Sequence, residues 1–309
     1  MSSGIRNLLP LALGALLLAA CAGASPPAPD GRLRVTVTTT HAAELVETVG
    51  GAHVEVAALM GPGVDPHLYR AGQGDVRLLM EADLVVHHGL FLEGRLSDVL
   101  QGGGLEHVLA LTDDLPRDRL IEAAERGEQY DPHVWFDPEL WVEVVDPVVA
   151  ALSEHAPQHA QDFAAGGQEY VAAAEAAHHQ AHELLSAVPP ERRVLVTSHD
   201  AFGYFGRTYD LEVHAVQGLS TEDEAGIGDL RELVDLLVDR SVPALFAEAS
   251  IAPAGVEAVR EGAAARGWHV RLPERALYSD TLGEPGTPEG TYAGMLLANA
   301  RLIAEELGA

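Results

Sequence analysis

The sequence predicts an α/β fold with two (βα)4-type lobes, whose parallel sheets are joined by one long rigid helix. Short apolar runs alternate with amphipathic segments of helical length, which is typical of parallel sheets built from βαβ units. This rhythm occurs twice along the chain, and one long helical pattern separates the two occurrences. A length of 309 residues and a hydrophobic fraction of 47% suit two lobes with a large buried core.

The net charge of −28 excludes one broad class of function. Proteins that bind nucleic acid present a basic face to the phosphate backbone, so we expect no nucleic acid partner. The same charge disfavours electrostatic binding to anionic lipid headgroups, and it raises the local concentration of cations.

Residues 1–20 are predicted to be a lipoprotein signal peptide. Arg6 precedes an apolar stretch, residues 8–20, that is too short to span a bilayer. The stretch ends at Cys21, the only cysteine, which indicates cleavage before Cys21 and attachment of a lipid that anchors the chain to the membrane. An ordinary signal peptide with an incidental cysteine is the alternative. A single acylated sulfur leaves no disulfide and no cysteine-based metal site.

The Pro- and Gly-rich residues 21–31 are predicted to form a tether, and residues 32–157 the N-terminal α/β lobe. Apolar runs predict four strands in this lobe, and periodic segments predict the helices between them. The expected strands are 33–39, 53–59, 84–87 and 107–111, and the expected helices are 41–49, 75–82, 92–100 and 139–152.

Residues 158–187 carry the longest helical pattern, with apolar side chains three or four residues apart. Pro189 and Pro190 end the pattern because proline cannot continue a helix. A helix of this length spans roughly 40 Å, more than one lobe needs, so it is predicted to be a rigid connector. Gly166 and Gly167 oppose the prediction, since each glycine costs about 1 kcal/mol against alanine.

Residues 188–309 repeat the rhythm and are predicted to form the C-terminal α/β lobe. The expected strands are 194–197, 212–216, 244–247 and 269–272, and the expected helices are 229–238, 252–266 and 287–307.

The candidate site starts from the segment Asp131–Pro138, where His133 lies between two Asp-Pro steps. A residue before proline is held in extended backbone, so His133 is carried on a stiff, non-helical segment that suits a metal ligand. Asp-Pro-His occurs again at His67, and His199 closes an apolar strand. Ligands of parallel sheets bind beyond the carboxyl ends of the strands, and Asp280 follows the last strand. Two ligands from each lobe would then meet in the cleft between them.

Five motifs occur in order along the chain: Gly63-x-Asp-Pro-His67, Asp131-Pro-His133-Val-Trp, Thr197-Ser-His199-Asp-Ala-Phe-Gly-Tyr204, Gln217-Gly-Leu-Ser-Thr221 and Tyr278-Ser-Asp280. With these motifs the chain resembles the metal-binding solute-binding lipoproteins of bacterial zinc and manganese ABC transporters. The resemblance implies two α/β lobes joined by one long helix, with the metal in the cleft. It implies the ligands His67, His133, His199 and Asp280, a permease subunit as partner, and an extracytoplasmic location on the cell membrane.

Three neutral imidazoles and one carboxylate suit Zn²⁺ at about 2.0–2.2 Å, and nitrogen ligands favour Zn²⁺ over Mn²⁺. Manganese-preferring members of the family usually carry Glu where this sequence has His199. Typical zinc-binding members have a His-rich loop before the second ligand, and no histidine lies here between His107 and His133. We therefore expect Zn²⁺ as the first choice of transported metal and Mn²⁺ as the second.

Asp65, Asp131, Asp200 and Glu248 are candidates to accept a hydrogen bond from the outer nitrogen of a ligating imidazole. A separate trio, His178, His179 and His182, lies on the long helical pattern. The trio is either an accessory metal patch or a solvated helix face, and we favour the solvated face.

Two other functions compete with metal transport: a zinc-dependent hydrolase, and a lipid-anchored adhesin or iron–chelate carrier. Catalytic zinc usually has three protein ligands and an open position for water, whereas four protein ligands close a site. No His-Glu-x-x-His motif is present. We therefore expect a binding protein and not an enzyme.

Overall fold

A computed structural model describes residues 31–308, apart from 103, 124–129 and 223–224. The predicted signal peptide, Cys21 and all of the tether except Gly31 lie outside these residues. In the described part of the chain, no helix combines the length and the apolar character needed to cross a membrane.

The N-terminal lobe contains a four-stranded parallel sheet in the order β2-β1-β3-β4. Central β1 is flanked on both sides, with Val35 opposite both Val56 and Leu84. A parallel sheet is covered by helices on its faces, and Val35 and Val37 are accordingly fully buried. The strands are β1 Leu33–Val37, β2 Val54–Ala58, β3 Leu84–His87 and β4 Val108–Ala110. The helices are α1 Thr40–Gly50, α2 Gln73–Glu81 and α3 Ser97–Gln101, followed by α4 Pro138–Trp141 and α5 Val145–His155.

The long helix is present as α6, Ala160–Ser186, a span of 27 residues after a short 3₁₀ turn. One side chain in every three or four along α6 is buried, as the apolar spacing predicts. These positions are Phe163, Gly167, Tyr170, Ala174, Ala177, Ala181 and Leu185. The two glycines therefore do not interrupt the helix.

Gly166 permits a close approach between α6 and the end of α1. A Cβ at this position would lie 2.7 Å from the carbonyl oxygens of both Thr48 and Val49. Those atoms belong to backbone and cannot rotate away as a side chain could. The glycine that weakens the helix pattern in sequence thus lets two helices touch.

The C-terminal lobe pairs β5, Val194–His199, with β6, Glu212–Gln217, in parallel. The two further expected strands, 244–247 and 269–272, do not form regular strands. One isolated parallel bridge joins Ala244 to Arg271, and a second, beyond both segments, joins Glu248 to Leu277. Pro243 and Pro273 carry no N–H for a regular ladder, which accounts for the irregular pairing. The helices are α7 Gly203–Tyr209, α8 Ile227–Asp239, α9 Ala254–Ala265 and α10 Tyr292–Leu307.

These elements confirm the predicted α/β class, with parallel sheets and one long helix. The C-terminal helix α10 packs against α6 and also touches α1 in the opposite half of the chain. One apolar core accordingly includes Val35 of β1, Trp135 and Ile303 of α10. The lobe boundaries 32–157, 158–187 and 188–309 stay predictions.

We predict that Gly166→Ala destabilises the fold although alanine favours helix by about 1 kcal/mol. The new methyl group must push α6 away from the backbone of α1, and overpacking of this kind costs about 1–3 kcal/mol. The free energy of unfolding in urea measures the loss. Gly74→Ala in α2 is the control, because a Cβ there meets nothing within 4 Å. Gly74→Ala gains the same helix propensity without the overpacking, so equal stability of Gly166→Ala and Gly74→Ala would contradict the close approach.

Candidate metal centre

The structure brings all four predicted ligands together in a buried cluster. His67 lies in the loop after β2, and His133 precedes the 3₁₀ turn Val134–Phe136. His199 is the last residue of β5, and Asp280 lies in the loop after the bridge at Leu277. One potential ligand atom from each residue lies within 4.8 Å of the other three.

Asp280 lies at the centre of the cluster. One of its oxygens is 3.7 Å from Nε2 of His67 and 3.2 Å from Nε2 of His199, and the other is 3.4 Å from Nε2 of His133. Two atoms that bind one tetrahedral zinc ion at about 2.1 Å are roughly 3.4 Å apart. The spacing therefore fits four ligands around a single small ion.

These ligand atoms have no hydrogen-bond partner among the described residues. The set comprises Nε2 of each of the three imidazoles and both carboxylate oxygens of Asp280. Buried polar atoms are nearly always paired, and five unpaired atoms facing one another call for a specific explanation. A cation held between them would satisfy all of them together.

Burial and charge shift the pKa values of the cluster in opposite directions. Burial lowers the pKa of His67 to about 3, so this imidazole is neutral. Burial also opposes charge on His133, but the carboxylates of Asp131 and Asp280 outweigh it and raise the pKa to about 9. For His199 the carboxylates of Asp280 and Glu248 likewise outweigh burial, and the pKa lies well above its usual value.

Two carboxylates fix the orientation of the His133 and His199 imidazoles by bonding the ring nitrogen that faces away from the cluster. Asp131 accepts from Nδ1 of His133 at 2.7 Å and from its backbone N–H at 2.9 Å. Glu248 accepts from Nδ1 of His199 at 2.6 Å and from its backbone N–H at 2.8 Å. Each Nε2 is thereby aimed at the centre of the cluster, and such carboxylate partners are typical of metal-ligating histidines. Both residues were predicted candidates for this contact.

Asp65 plays a different part from the one expected of an imidazole partner. It accepts the backbone N–H of His67 at 2.9 Å, and the Thr221 hydroxyl donates to its other oxygen at 2.5 Å. This contact ties the loop of His67 to a loop of the C-terminal half. The fourth candidate, Asp200, donates its backbone N–H to the carbonyl of Gly218.

Trp135 connects two ligands that are far apart in sequence. It lies two residues after His133, and its indole N–H donates to the carbonyl of Ser279 at 3.1 Å, directly before Asp280. The Tyr292 hydroxyl donates to the Trp135 carbonyl at 2.8 Å. In the sequence Trp135 stood out only as part of the motif Asp131-Pro-His133-Val-Trp, because its hydrogen bond to Ser279 spans 144 residues.

Asn299 of α10 also supports the Asp280 loop, and sequence analysis missed it. Its side-chain oxygen accepts from the Tyr278 N–H at 2.9 Å, and its amide nitrogen donates to the Tyr278 carbonyl at 2.7 Å. Asn299 is buried on the apolar face of its helix. A lone polar residue on such a face was the available signal, since buried amides need partners.

The histidine trio on α6 forms no metal-binding group among the described residues. Nδ1 of His178 lies 3.1 Å from the Tyr209 hydroxyl, and Nδ1 of His182 lies near the Ser186 hydroxyl. His179 and His182 are exposed, as the preferred interpretation of a solvated helix face expects, whereas His178 is half-buried against Tyr209.

Comparison with known proteins places this site in context. Residues 35–306 match the family described as ZnuA, zinc-uptake complex component A, periplasmic. The chain is 45% identical over 279 residues to the manganese-binding lipoprotein MntA of Bacillus subtilis, covering 90% of each. It is 40% identical over 288 residues to the zinc-binding protein TroA of Treponema pallidum, covering 92% of each.

Solved structures agree with the sequence comparison. The periplasmic zinc-binding protein TroA of Treponema pallidum superposes with a TM-score of 0.86 at 39% identity, covering 90% of this chain and all of that one. The Fe(III)-bound YtgA of Chlamydia trachomatis superposes with a TM-score of 0.79 at 27% identity, covering 89% and 98%. Since the match spans nearly the whole described fold, the chain belongs to the ZnuA family of periplasmic metal-binding components of zinc-uptake complexes.

Proposed function

We propose that this protein captures one divalent transition metal in the cleft and delivers it to the permease subunit of an ABC importer. One observation carries the proposal: four buried side chains present five unpaired ligand atoms to a common centre. His67, His133, His199 and Asp280 are the proposed ligands. Two relatives are named as a manganese-binding and a zinc-binding protein, and these names support the same role.

Zn²⁺ is proposed as the first choice of cargo and Mn²⁺ as the second. Three imidazoles and one carboxylate provide a nitrogen-rich set of ligands, and the intrinsic order of divalent-metal affinity favours Zn²⁺. Four protein ligands also equal the coordination number that zinc prefers in closed sites. One relative is named for manganese and another for zinc, so family membership alone does not choose between them.

A carrier accounts for the site better than the alternative of a zinc hydrolase. All four proposed ligands are at least 96% buried, and four protein ligands would complete a tetrahedral shell. A hydrolytic zinc needs an open position for water and a nearby general base. We therefore propose a non-enzymatic binding protein.

We further propose that the protein is anchored outside the cytoplasm through a lipid on Cys21. Residues 21–31 would act as the tether between the membrane and the metal-binding fold. Relatives named as lipoproteins, among them MntA and the manganese transporter lipoprotein PsaA of Streptococcus pneumoniae, support this location.

Replacing each ligand with alanine tests the assignment directly. We expect one tight metal per chain, and we expect His67→Ala, His133→Ala, His199→Ala and Asp280→Ala each to weaken binding at least 100-fold. Removing one ligand breaks the shell and leaves the others unpaired. Competition with a chromophoric chelator measures the affinity, and His178→Ala is the control. Unchanged affinity in two of the four variants would refute the site.

Trp135→Phe isolates the hydrogen bond between Trp135 and Ser279. The phenyl ring keeps the apolar contact but donates no hydrogen bond, so the loop that carries Asp280 is no longer held at the Ser279 carbonyl. We expect metal affinity to fall about tenfold. This is the lower end of the loss that is typical when a residue hydrogen-bonded behind a metal site is replaced. Trp268→Phe is the matched control, because Trp268 also donates to a carbonyl, that of Val242, outside the site. Equal affinities of the two variants would argue against a supporting role.

Metal affinity should fall steeply as the pH falls. In the metal-free protein the pKa is about 9 for His133 and well above its usual value for His199, so we expect both imidazoles to be protonated at pH 7. The metal displaces these protons, whereas His67, whose pKa is about 3, is already neutral. We expect release of about two protons at pH 7, or a roughly 100-fold loss of affinity per pH unit.

Calorimetric titration in buffers of different ionisation enthalpy measures the number of protons released at pH 7. Release of fewer than one proton, or an affinity that is flat between pH 7 and 5, would contradict the assignment of charge to these two histidines.

A further inference from the structure

A second group of potential metal ligands lies outside the cleft, at the beginning of α6. Nε2 of His53 is 3.0 Å from Oδ2 of Asp162, and Nδ1 of His159 is 3.9 Å from the same oxygen. One nitrogen from each imidazole and one carboxylate oxygen all lie within 4.8 Å of one another. None of these residues belongs to a motif of the cleft.

Three elements bring the group together. His53 ends the 3₁₀ turn Gly51–His53 that leads into β2, and His159 ends the 3₁₀ turn Pro157–His159. Asp162 follows His159 by three residues, in the first turn of α6, so both face the same side of the helix start. The cluster therefore joins the sheet of the N-terminal lobe to the long helix.

The two imidazoles rest on a buried ring. Phe163 is fully buried, and its ring meets His53 edge-on at 5.9 Å and His159 at 6.2 Å between centroids. Packing on this ring restricts both imidazoles to one side of the cluster. The side chains keep exposures of 29% for His53, 31% for His159 and 66% for Asp162, so a cation reaches them from solvent.

We propose that His53, His159 and Asp162 form an accessory surface site for Zn²⁺ or a similar divalent transition metal. Two imidazoles and one carboxylate supply three ligands, and solvent supplies the rest of the shell. The observed separations of 3.0 and 3.9 Å bracket the value of roughly 3.4 Å for two ligands of one tetrahedral zinc. The strongly negative chain attracts cations towards such a surface.

Metal binding at this site requires a local rearrangement. The rings of His53 and His159 stack with centroids 3.7 Å apart and planes inclined by 16°. Lone pairs in nearly parallel planes do not converge on one ion, so the rings must tilt apart when the metal enters. The metal also replaces the contact between His53 and Asp162. With three protein ligands and this rearrangement, the accessory site binds more weakly than the cleft.

The accessory site is independent of the proposed cleft function, and a titration separates the two. The purified protein receives one equivalent of Zn²⁺, after which further Zn²⁺ is added and followed by isothermal titration calorimetry. We expect a second equivalent with weaker affinity. His53→Gln and Asp162→Asn should each weaken this second equivalent at least tenfold and leave the first unchanged. His178→Gln, on the same helix but outside the cluster, should change neither.

A spectroscopic measurement tests the rearrangement. Imidazole resonances of His53 and His159, assigned by substitution, should shift on addition of the second equivalent and stay unchanged on addition of the first. Absence of a second equivalent in the parent protein would overturn the site. Its persistence in both His53→Gln and Asp162→Asn, or its loss in His178→Gln, would overturn it equally. In His199→Ala the first equivalent should weaken and the accessory equivalent remain.

Discussion

A buried carboxylate among three buried imidazoles is the constraint around which this fold is arranged. Asp280 is only 2% exposed, and its two oxygens lie 3.2–3.7 Å from the three facing nitrogens. Burial alone would raise the pKa of Asp280, but the charges on His199 and His133 outweigh it and hold the pKa well below its usual value. An ionised group at this depth needs compensating partners. Asp131 and Glu248 supply the matching partners behind the imidazoles.

Rigid support for these groups comes from both halves of the chain. Trp135 reaches the carbonyl before Asp280, and Tyr204 donates its hydroxyl to the carbonyl of Asp131. Thr221, from the C-terminal half, donates a hydrogen bond to Asp65. Such contacts would hold the proposed ligand atoms in place before a metal arrives, which would reduce the ordering required on binding. On this proposal, metal affinity depends also on residues that do not touch the metal.

The sequence was sufficient for features that local chemistry determines. Each Asp-Pro-His step predicted a histidine on stiff backbone, and the spacing of apolar residues predicted α6 within two residues at its start and one at its end. Features that depend on contacts between residues far apart in the chain could not be predicted from the sequence. Asn299 bonds a backbone 21 residues away, and His53 meets Asp162 across 109 residues. Gly166 illustrates the same limit, because only the position of α1 shows why a glycine is needed there.

The position of α10 has a consequence for the order in which the protein can fold. Tyr292 begins this helix, and its hydroxyl bonds the carbonyl of Trp135, while the helix packs on α6 and touches α1. The core that includes β1 is therefore completed only after α10 has been synthesised. Contacts between such distant segments form slowly, because a long loop must close first. The first half of the chain therefore lacks part of its core until α10 has been synthesised, so we expect the two halves to fold as one unit.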